Sequence, residues 1–132
     1  MSHFTAVETK IRDLVALKLA LKDLNFAFTE AKLEQKLHVR GYAQQTAEAD
    51  LVIHISKTYD VGVKVGPQGN ISFVADWWGV ETTRGLTEQE FLSKVTGRYS
   101  YHKVLKELRQ RGYAYTEEQE KDKIHIKVTA WQ

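Results

Sequence analysis

The sequence predicts an α+β fold: a single domain over residues 1–132, in which a mainly antiparallel sheet has two or three helices packed on one face. Apolar and polar side chains alternate in four segments, as they do along strands with one buried face. Those segments are 37–42, 61–65, 71–75 and 124–130. Leucines recur at three- and four-residue steps over residues 14–24, which is typical of a helix that packs against a sheet. Glycine and proline in residues 66–70 predict a tight turn between two of the strands.

The N-terminal elements follow from residue preferences. Residues 3–9 are rich in β-forming side chains and predict the first strand. Asp13 is placed to cap the helix that follows, and Asn25 is placed to end it in a left-handed conformation. Residues 26–29 begin a second strand, whereas residues 31–36 fit either a helix or a loop.

The middle of the chain predicts mostly strands. The strand segments are residues 37–42, 51–56, 59–65 and 71–76, of which the last two form the hairpin. Residues 44–49 are mostly polar and predict a connection between strands.

The last third of the chain predicts two helical stretches and a hairpin. Residues 87–90 carry the Thr and the Glu of a capping box, which opens the first stretch. Gly97 is expected to interrupt or bend the helix before a second stretch, residues 99–111, which Gly112 ends. The hairpin has residues 113–116 and 123–131 as its arms, joined by an acidic turn.

Composition excludes several classes of function. Nineteen Lys and Arg against 17 Asp and Glu leave a net charge of +2, which is far from that of a dedicated polyanion binder. The absence of cysteine excludes thiol catalysis, iron–sulfur clusters and thiolate zinc sites. The N-terminus shows no secretory signal, and charged residues interrupt the longest apolar stretch, Leu14 to Leu24. We therefore expect no membrane-spanning segment and a cytosol-like compartment.

A basic segment is the first candidate binding site. Arg98, His102, Lys106 and Arg109 recur at steps of four, four and three residues, so a continuous helix places them on one face. We call these four residues the basic face. Residues 98–111 carry five cations and one anion, a local charge of +4. Such a face fits an acidic partner surface or phosphates, and it fits an ordinary solvated helix surface as well.

Acidic residues follow the basic face closely. They are Glu117, Glu118, Glu120 and Asp122. In a hairpin turn they keep the turn solvated, and if they fold back over the basic face they cancel part of its field.

Two adjacent tryptophans, Trp77 and Trp78, form the second candidate site. At the end of a strand, neighbouring side chains point to opposite faces of the sheet. One ring is then an exposed anchor for a partner protein or a flat ligand, unless a helix or loop covers it. The ring of Trp131, on the outward side of the last predicted strand, is likewise either an exposed anchor or covered by another segment.

The sequence shows no assembled catalytic or metal-binding group. The five histidines lack the spacing of metal ligands, and no serine stands in a nucleophile-elbow motif. We therefore expect no metal and no cofactor, and we favour a binding function over an enzyme.

Five short segments carry a family resemblance. They are Met1–Thr5, Lys10–Asp13, Tyr59–Gly62, Asp76–Gly79 and Tyr99–Val104. In this order they resemble the hypothetical chloroplast reading frame thirty-five family, which occurs in cyanobacteria and in the plastid genomes of some algae. The family is of unknown function and supplies no catalytic residues. The resemblance implies a protein of the cyanobacterial cytoplasm or plastid stroma, associated with the assembly or regulation of the photosynthetic machinery.

Three functional hypotheses follow. The first is a non-enzymatic accessory, assembly or regulatory protein that binds another protein through Trp77, Trp78 and the basic face. The second is an RNA- or nucleotide-binding regulator that uses the basic face, with Tyr99 and Tyr101 for stacking. The third is a small-molecule enzyme with a pocket between sheet and helices. The sequence leaves the partner and the oligomeric state open.

Overall fold

The structure, a computed structural model, describes residues 3–32, 35–42, 46–121 and 123–130. In these ranges the strands are β1 Thr5–Glu8, β2 Ala27–Glu30, β3 Leu37–Arg40, β4 Thr46–Ala49, β5 Leu51–His54, β6 Asp60–Val65, β7 Ile71–Ala75, β8 Ala114–Glu120 and β9 Lys123–Ala130. The helices are α1 Leu14–Asp23, α2 Trp77–Arg84 and α3 Glu88–Gln110. Every strand pairing is antiparallel, which confirms the predicted α+β class. The chain forms two compact units, residues 1–99 and 100–132.

The first unit is built on a five-stranded sheet with the order β1-β7-β6-β5-β2. The β6–β7 hairpin is confirmed, and Gly69 in its turn has a φ of 86°, which a residue without a side chain adopts at little cost. One face of the sheet carries the main core, where helix residues pack against strand residues. The helices contribute Leu17, Leu21, Val80, Phe91 and Val95, and the strands contribute Leu51, Ile53, Val61, Val63 and Phe73. The predicted packing of the helices on one face is therefore confirmed.

The opposite face of the sheet is covered by the small β3–β4 hairpin. Val39 and Ala49 of the hairpin pack against Val52 and Val74 of the sheet. Gly62 allows this close approach, because a Cβ there would lie 2.4 Å from Cγ2 of Val39.

The prediction of a connection at residues 44–49 is wrong where the structure describes them. Residues 46–49 form strand β4, in which Ala47 and Ala49 face the sheet while Thr46 and Glu48 face outward. Two small apolar residues are a weak strand signal, and the pairing with β3 decides the conformation. Residues 44 and 45 lie outside the described ranges.

The predicted helix boundaries are confirmed at three places. Asp13 Oδ1 accepts a hydrogen bond from the amide of Ala16 at 3.1 Å, and Asn25 follows α1 with a φ of 61°. The capping box also forms: the Thr87 hydroxyl and the Glu90 carboxylate each accept the other residue's amide, both at 3.1 Å.

The predicted interruption at Gly97 is wrong, because α3 runs unbroken from Glu88 to Gln110. A glycine inside a helix costs about 1 kcal/mol relative to alanine. Phe91 and Val95 are fully buried, and the hydroxyl of Tyr99 accepts the backbone amides of Arg12 and Asp13 at 3.3 Å each. These contacts hold the helix on both sides of the glycine.

In the second unit, the acidic residues lie in a strand and not in a turn. Glu117, Glu118 and Glu120 belong to β8, and the tight turn comes only at Lys121, which has a φ of 53°. Cross-strand pairing explains the longer strand, since Glu118 stands opposite His125, and Glu120 stands opposite Lys123. Asp122 and Trp131 lie outside the described residues.

Candidate binding surface around helix α2

Asp76 joins two segments that are far apart in the sequence. Its carboxylate is buried, and Oδ1 accepts the Gly79 amide at 3.2 Å, which caps the N-terminus of α2. Oδ2 accepts the amide of Tyr42, just beyond β3, also at 3.2 Å. Asp76 therefore fixes the position of Tyr42 relative to the first turn of α2.

Trp77 and Trp78 do not end a strand, so the prediction that they point to opposite faces of a sheet is wrong. Strand β7 ends at Ala75, and the Asp76 cap starts the helix at Trp77. Adjacent helical residues point about 100° apart. Trp77 is only 9% exposed and packs against Phe91 with ring centroids 5.6 Å apart, whereas Trp78 is 53% exposed.

Trp78 forms an exposed aromatic pair with Tyr42. The ring centroids lie 6.4 Å apart in an edge-to-face arrangement, and Tyr42 is 51% exposed. Tyr59 supports α2, because its buried ring lies against Gly79. A Cβ added at Gly79 would come within 1.9 Å of Cε1 of Tyr59. Burial, followed by the nearby Asp76 and Tyr42, raises the pKa of the Tyr59 phenol.

A second buried carboxylate, that of Asp60, organises the neighbouring strands. Arg40 donates to Oδ2 from its backbone amide at 2.8 Å and from Nε at 2.9 Å, and to Oδ1 from Nη2 at 2.9 Å. His54 Nδ1 lies 3.3 Å from Oδ1, and His54 Nε2 lies 2.8 Å from the hydroxyl of Thr29. Burial alone raises the pKa of Asp60, but the Arg40 hydrogen bonds and charge, together with His54, outweigh it and lower the pKa below its usual value.

A hydroxyl, an imidazole and a carboxylate in this order also occur in nucleophilic catalysis. Here the Arg40 guanidinium neutralises the carboxylate that would stabilise a protonated His54. The cavity described next is not lined by Thr29 or His54. We therefore interpret the network as structural: it connects β2, β3, β5 and β6.

Arg40 also shapes a cavity beside α2. Its Nη2 donates to the Ser56 carbonyl at 3.1 Å, and its Nη1 donates to the Lys57 carbonyl, so it holds the turn between β5 and β6. The cavity has a volume of about 500 Å³ between this turn and the C-terminal end of α2. Its lining residues are Ile55, Ser56, Lys57, Thr58, Thr83 and Arg84. We call this cavity, together with the Tyr42–Trp78 pair, the α2 surface.

The residues of the basic face are all on α3 but fall in different units. In the second unit, the spacing of His102, Lys106 and Arg109 places these three residues within an arc of about 60° on α3. Arg98 belongs to the first unit, where it forms an ion pair with Asp23 at 2.6 Å. His102, Lys106 and Arg109 belong to the second unit, in which Lys106 and Arg109 are exposed.

The acidic strand of the second unit contacts the same helix. The hydroxyl of Tyr101 donates to Oε1 of Glu117 at 2.6 Å, and the ring of Tyr101 lies edge-on to His102 with centroids 5.1 Å apart. The Glu117 carboxylate thus contacts Tyr101, which directly precedes His102 of the basic face in the sequence.

Sequence reasoning missed most of the α2 surface. Tyr42 and Arg40 lie far in sequence from α2. Tyr42 contacts α2 through Trp78 and Asp76, and Arg40 bonds the turn after β5. Ser56 and Thr58 have the composition of a turn, but that signal does not indicate a cavity.

Two further observations concern the described part of the chain. None of its helices is long and apolar enough to cross a membrane. Among the same residues, no three His, Cys, Asp or Glu side chains are grouped so that they could hold a metal ion.

Comparisons with known proteins agree with the resemblance found in the sequence. The chain is 31% identical over 134 residues to a protein of Guillardia theta named "Uncharacterized protein ycf35", covering 98% of this chain and 95% of the relative. Proteins of the same name from Cyanophora paradoxa and Pyropia yezoensis are 28% and 26% identical, each covering 99% of this chain and 98% of the relative. No solved structure matches the chain. Residues 20–129 match the family described as "Protein of unknown function (DUF1257)", and the chain therefore belongs to that family.

Proposed function

We propose that this protein is a non-enzymatic accessory, assembly or regulatory protein of an oxygenic phototroph, and that it binds another protein through the Tyr42–Trp78 pair of the α2 surface. The observation that carries the proposal is the exposed Tyr42–Trp78 pair, since Trp78 is 53% exposed next to a tryptophan that lies in the core. Trp and Tyr are enriched among the few interface residues that dominate binding energy. Covering the exposed half of a tryptophan side chain contributes about 2 to 3 kcal/mol.

The pair is held in place before any partner arrives. The Asp76 carboxylate accepts the backbone amides of Tyr42 and of Gly79, which follows Trp78. The ring of Tyr59 packs tightly against Gly79. A rigid anchor loses little conformational entropy on binding, so more of the contact energy appears as affinity.

The basic face is a second proposed contact, for an acidic patch on the partner. Lys106 and Arg109 are exposed on this face, and Arg98 forms an ion pair with Asp23. Exposed charges of this kind act mainly on the association rate and its salt dependence.

The RNA-binding alternative has less support. It needs Tyr99 and Tyr101 for stacking on bases. The Tyr99 ring packs against the main core and its hydroxyl accepts two amides, while the hydroxyl of Tyr101 donates to Glu117. Both side chains are thus engaged within the protein.

Quantitative capture from a cyanobacterial extract tests the proposal. Tagged wild type is compared with Trp78→Ala and with Val15→Ala, a control that truncates an apolar side chain 61% exposed on α1. We expect a specific set of proteins to be retained by wild type and by Val15→Ala and lost with Trp78→Ala. Equal capture by all three would refute the assignment to Trp78.

The contribution of the basic face needs its own variant. Lys106→Glu reverses one exposed charge of α3. We expect weaker capture of the same partner, with the difference from wild type shrinking as salt rises. A Lys106→Glu protein that binds as wild type does at low salt would remove the basic face from the proposed interface.

A further inference from the structure

The cavity next to α2 has the size of a small-molecule site. Its volume of about 500 Å³ falls within the range of ligand pockets, about 300 to 1,000 Å³. Three of its six lining residues carry hydroxyl groups and two carry cationic side chains. The sixth, Ile55, is apolar.

The charge of the lining is positive and has no carboxylate to balance it. Lys57 and Arg84 are the cations, and no Asp or Glu lines the cavity. Among the described residues, the structure gives neither cation an ion-pair partner. The nearby Asp60 carboxylate is already bound by Arg40.

A second cavity provides an internal comparison. It has a volume of about 170 Å³, and its lining includes two lysines, Lys36 and Lys64, and two carboxylates, Glu48 and Asp50. Lys36 forms an ion pair with Asp50, so the charges of this second cavity balance within the protein. The cavity beside α2 lacks this balance.

Arg84, one of the donors of the larger cavity, is held by contacts within the protein. Arg84 Nη1 donates to the Ile55 carbonyl at 2.9 Å, and its guanidinium carbon lies 5.7 Å from the ring centre of Phe26. This leaves the remaining N–H groups of the guanidinium for a ligand. The Thr83 hydroxyl donates to the Ser56 hydroxyl at 2.9 Å, and the Ser56 hydroxyl also accepts the Tyr59 amide at 3.1 Å. These hydrogen bonds connect the turn after β5 to the C-terminal end of α2.

We infer that this cavity binds a small oxyanion, with phosphate as its simplest form, between Lys57 and Arg84. The guanidinium supplies planar paired donors, which match the oxygens of phosphate, and the lysine supplies a second positive charge. The Thr58 hydroxyl adds a neutral donor at the exposed rim. The ligand class is a small phosphorylated molecule, because the cavity exceeds the volume of a phosphate group alone. This inference is independent of the protein-binding role of Trp78.

Titration of the isotope-labelled protein with inorganic phosphate at low salt tests the inference. We expect saturable shifts of backbone amide signals that centre on residues 56–58 and 83–84, and a weaker response to acetate at equal ionic strength. A phosphate response that is absent, that is spread evenly over the surface or that acetate equals would overturn it.

Two lysine variants make the test specific to the cavity. Lys57→Ala removes a cation whose side chain is exposed, so the fold should tolerate it. We expect it to weaken phosphate binding about tenfold. Lys64→Ala, at the charge-balanced second cavity, is the matched control and should bind as wild type does. Equal affinity of wild type and Lys57→Ala would overturn the assignment, and binding of phosphate by Trp78→Ala would show that the two proposed sites are separate.

Discussion

The buried carboxylate of Asp60 offers the sharpest test of how the first unit is held together. Asp60→Asn keeps the size of the side chain but removes its charge and replaces one acceptor oxygen with an NH2 group. In the wild type, both oxygens face donors: three from Arg40 and one ring nitrogen of His54. In the variant, at least one N–H group of Arg40 faces the new NH2 group, and the hydrogen bond at that position is lost.

The size of the effect follows from these contacts. A hydrogen bond to a charged group contributes about 1.5 to 3 kcal/mol, and removing one partner of a buried ion pair costs about 3 to 5 kcal/mol. The Asp60 side chain is 2% exposed, but that of Arg40 is 45% exposed and regains water in the variant, which reduces the cost. We expect the free energy of unfolding to fall by about 3 kcal/mol, which lowers the melting temperature by about 10 °C in a chain of this length.

The pH dependence gives an independent check. The pKa of Asp60 in the folded protein is below the usual value, so its carboxylate stabilises the fold fully above the unfolded pKa of about 3.9. That stabilisation is lost as the pH falls through the lower pKa of the folded state. The difference in the free energy of unfolding between wild type and Asp60→Asn is therefore at its full size at pH 7 and becomes smaller below about pH 4.

Chemical unfolding at several pH values measures both effects. The control is Glu30→Gln, which breaks the half-exposed pair with Lys18 and should cost less than about 1 kcal/mol. A loss below about 1 kcal/mol for Asp60→Asn at pH 7, or a difference that stays the same from pH 7 to pH 3, would refute the reasoning.

Three further substitutions test the helices by thermal unfolding. Gly79→Ala places a Cβ 1.9 Å from the Tyr59 ring, so we expect a loss of about 2 kcal/mol or more, and a variant as stable as wild type would contradict the close packing under α2. Gly97→Ala meets nothing within 4 Å inside α3 and should stabilise the protein by about 0.5 to 1 kcal/mol; destabilisation would contradict an unbroken helix. Thr87→Ala removes half of the capping box and should cost about 1 kcal/mol, and no loss would mean that the cap is dispensable.

Local signals predicted the fold where they agreed with tertiary packing. The Asp13 cap, the Thr87 capping box and the 66–70 turn each depend on residues within five positions of one another, so the sequence displays them directly. Strand β4 was missed because its two alanines become a buried face only when β3 covers the sheet.

The candidate site was predictable only in part. The Trp77–Trp78 pair is visible in the sequence, but the helix that buries one ring and exposes the other starts from a cap that also serves Tyr42. The cavity joins residues 55–58 with residues 83–84, and no sequence period connects segments so far apart.

The α+β class, most of the strands, the helix caps and the family could be predicted from the residues alone, because these depend on short-range pattern and on similarity along the chain. The folded chain was needed to show which tryptophan is exposed, that α3 passes through Gly97, and that Lys57 and Arg84 share a cavity without a carboxylate. Burial and charge balance are sums over neighbours in space. They are defined only once distant segments have packed against each other.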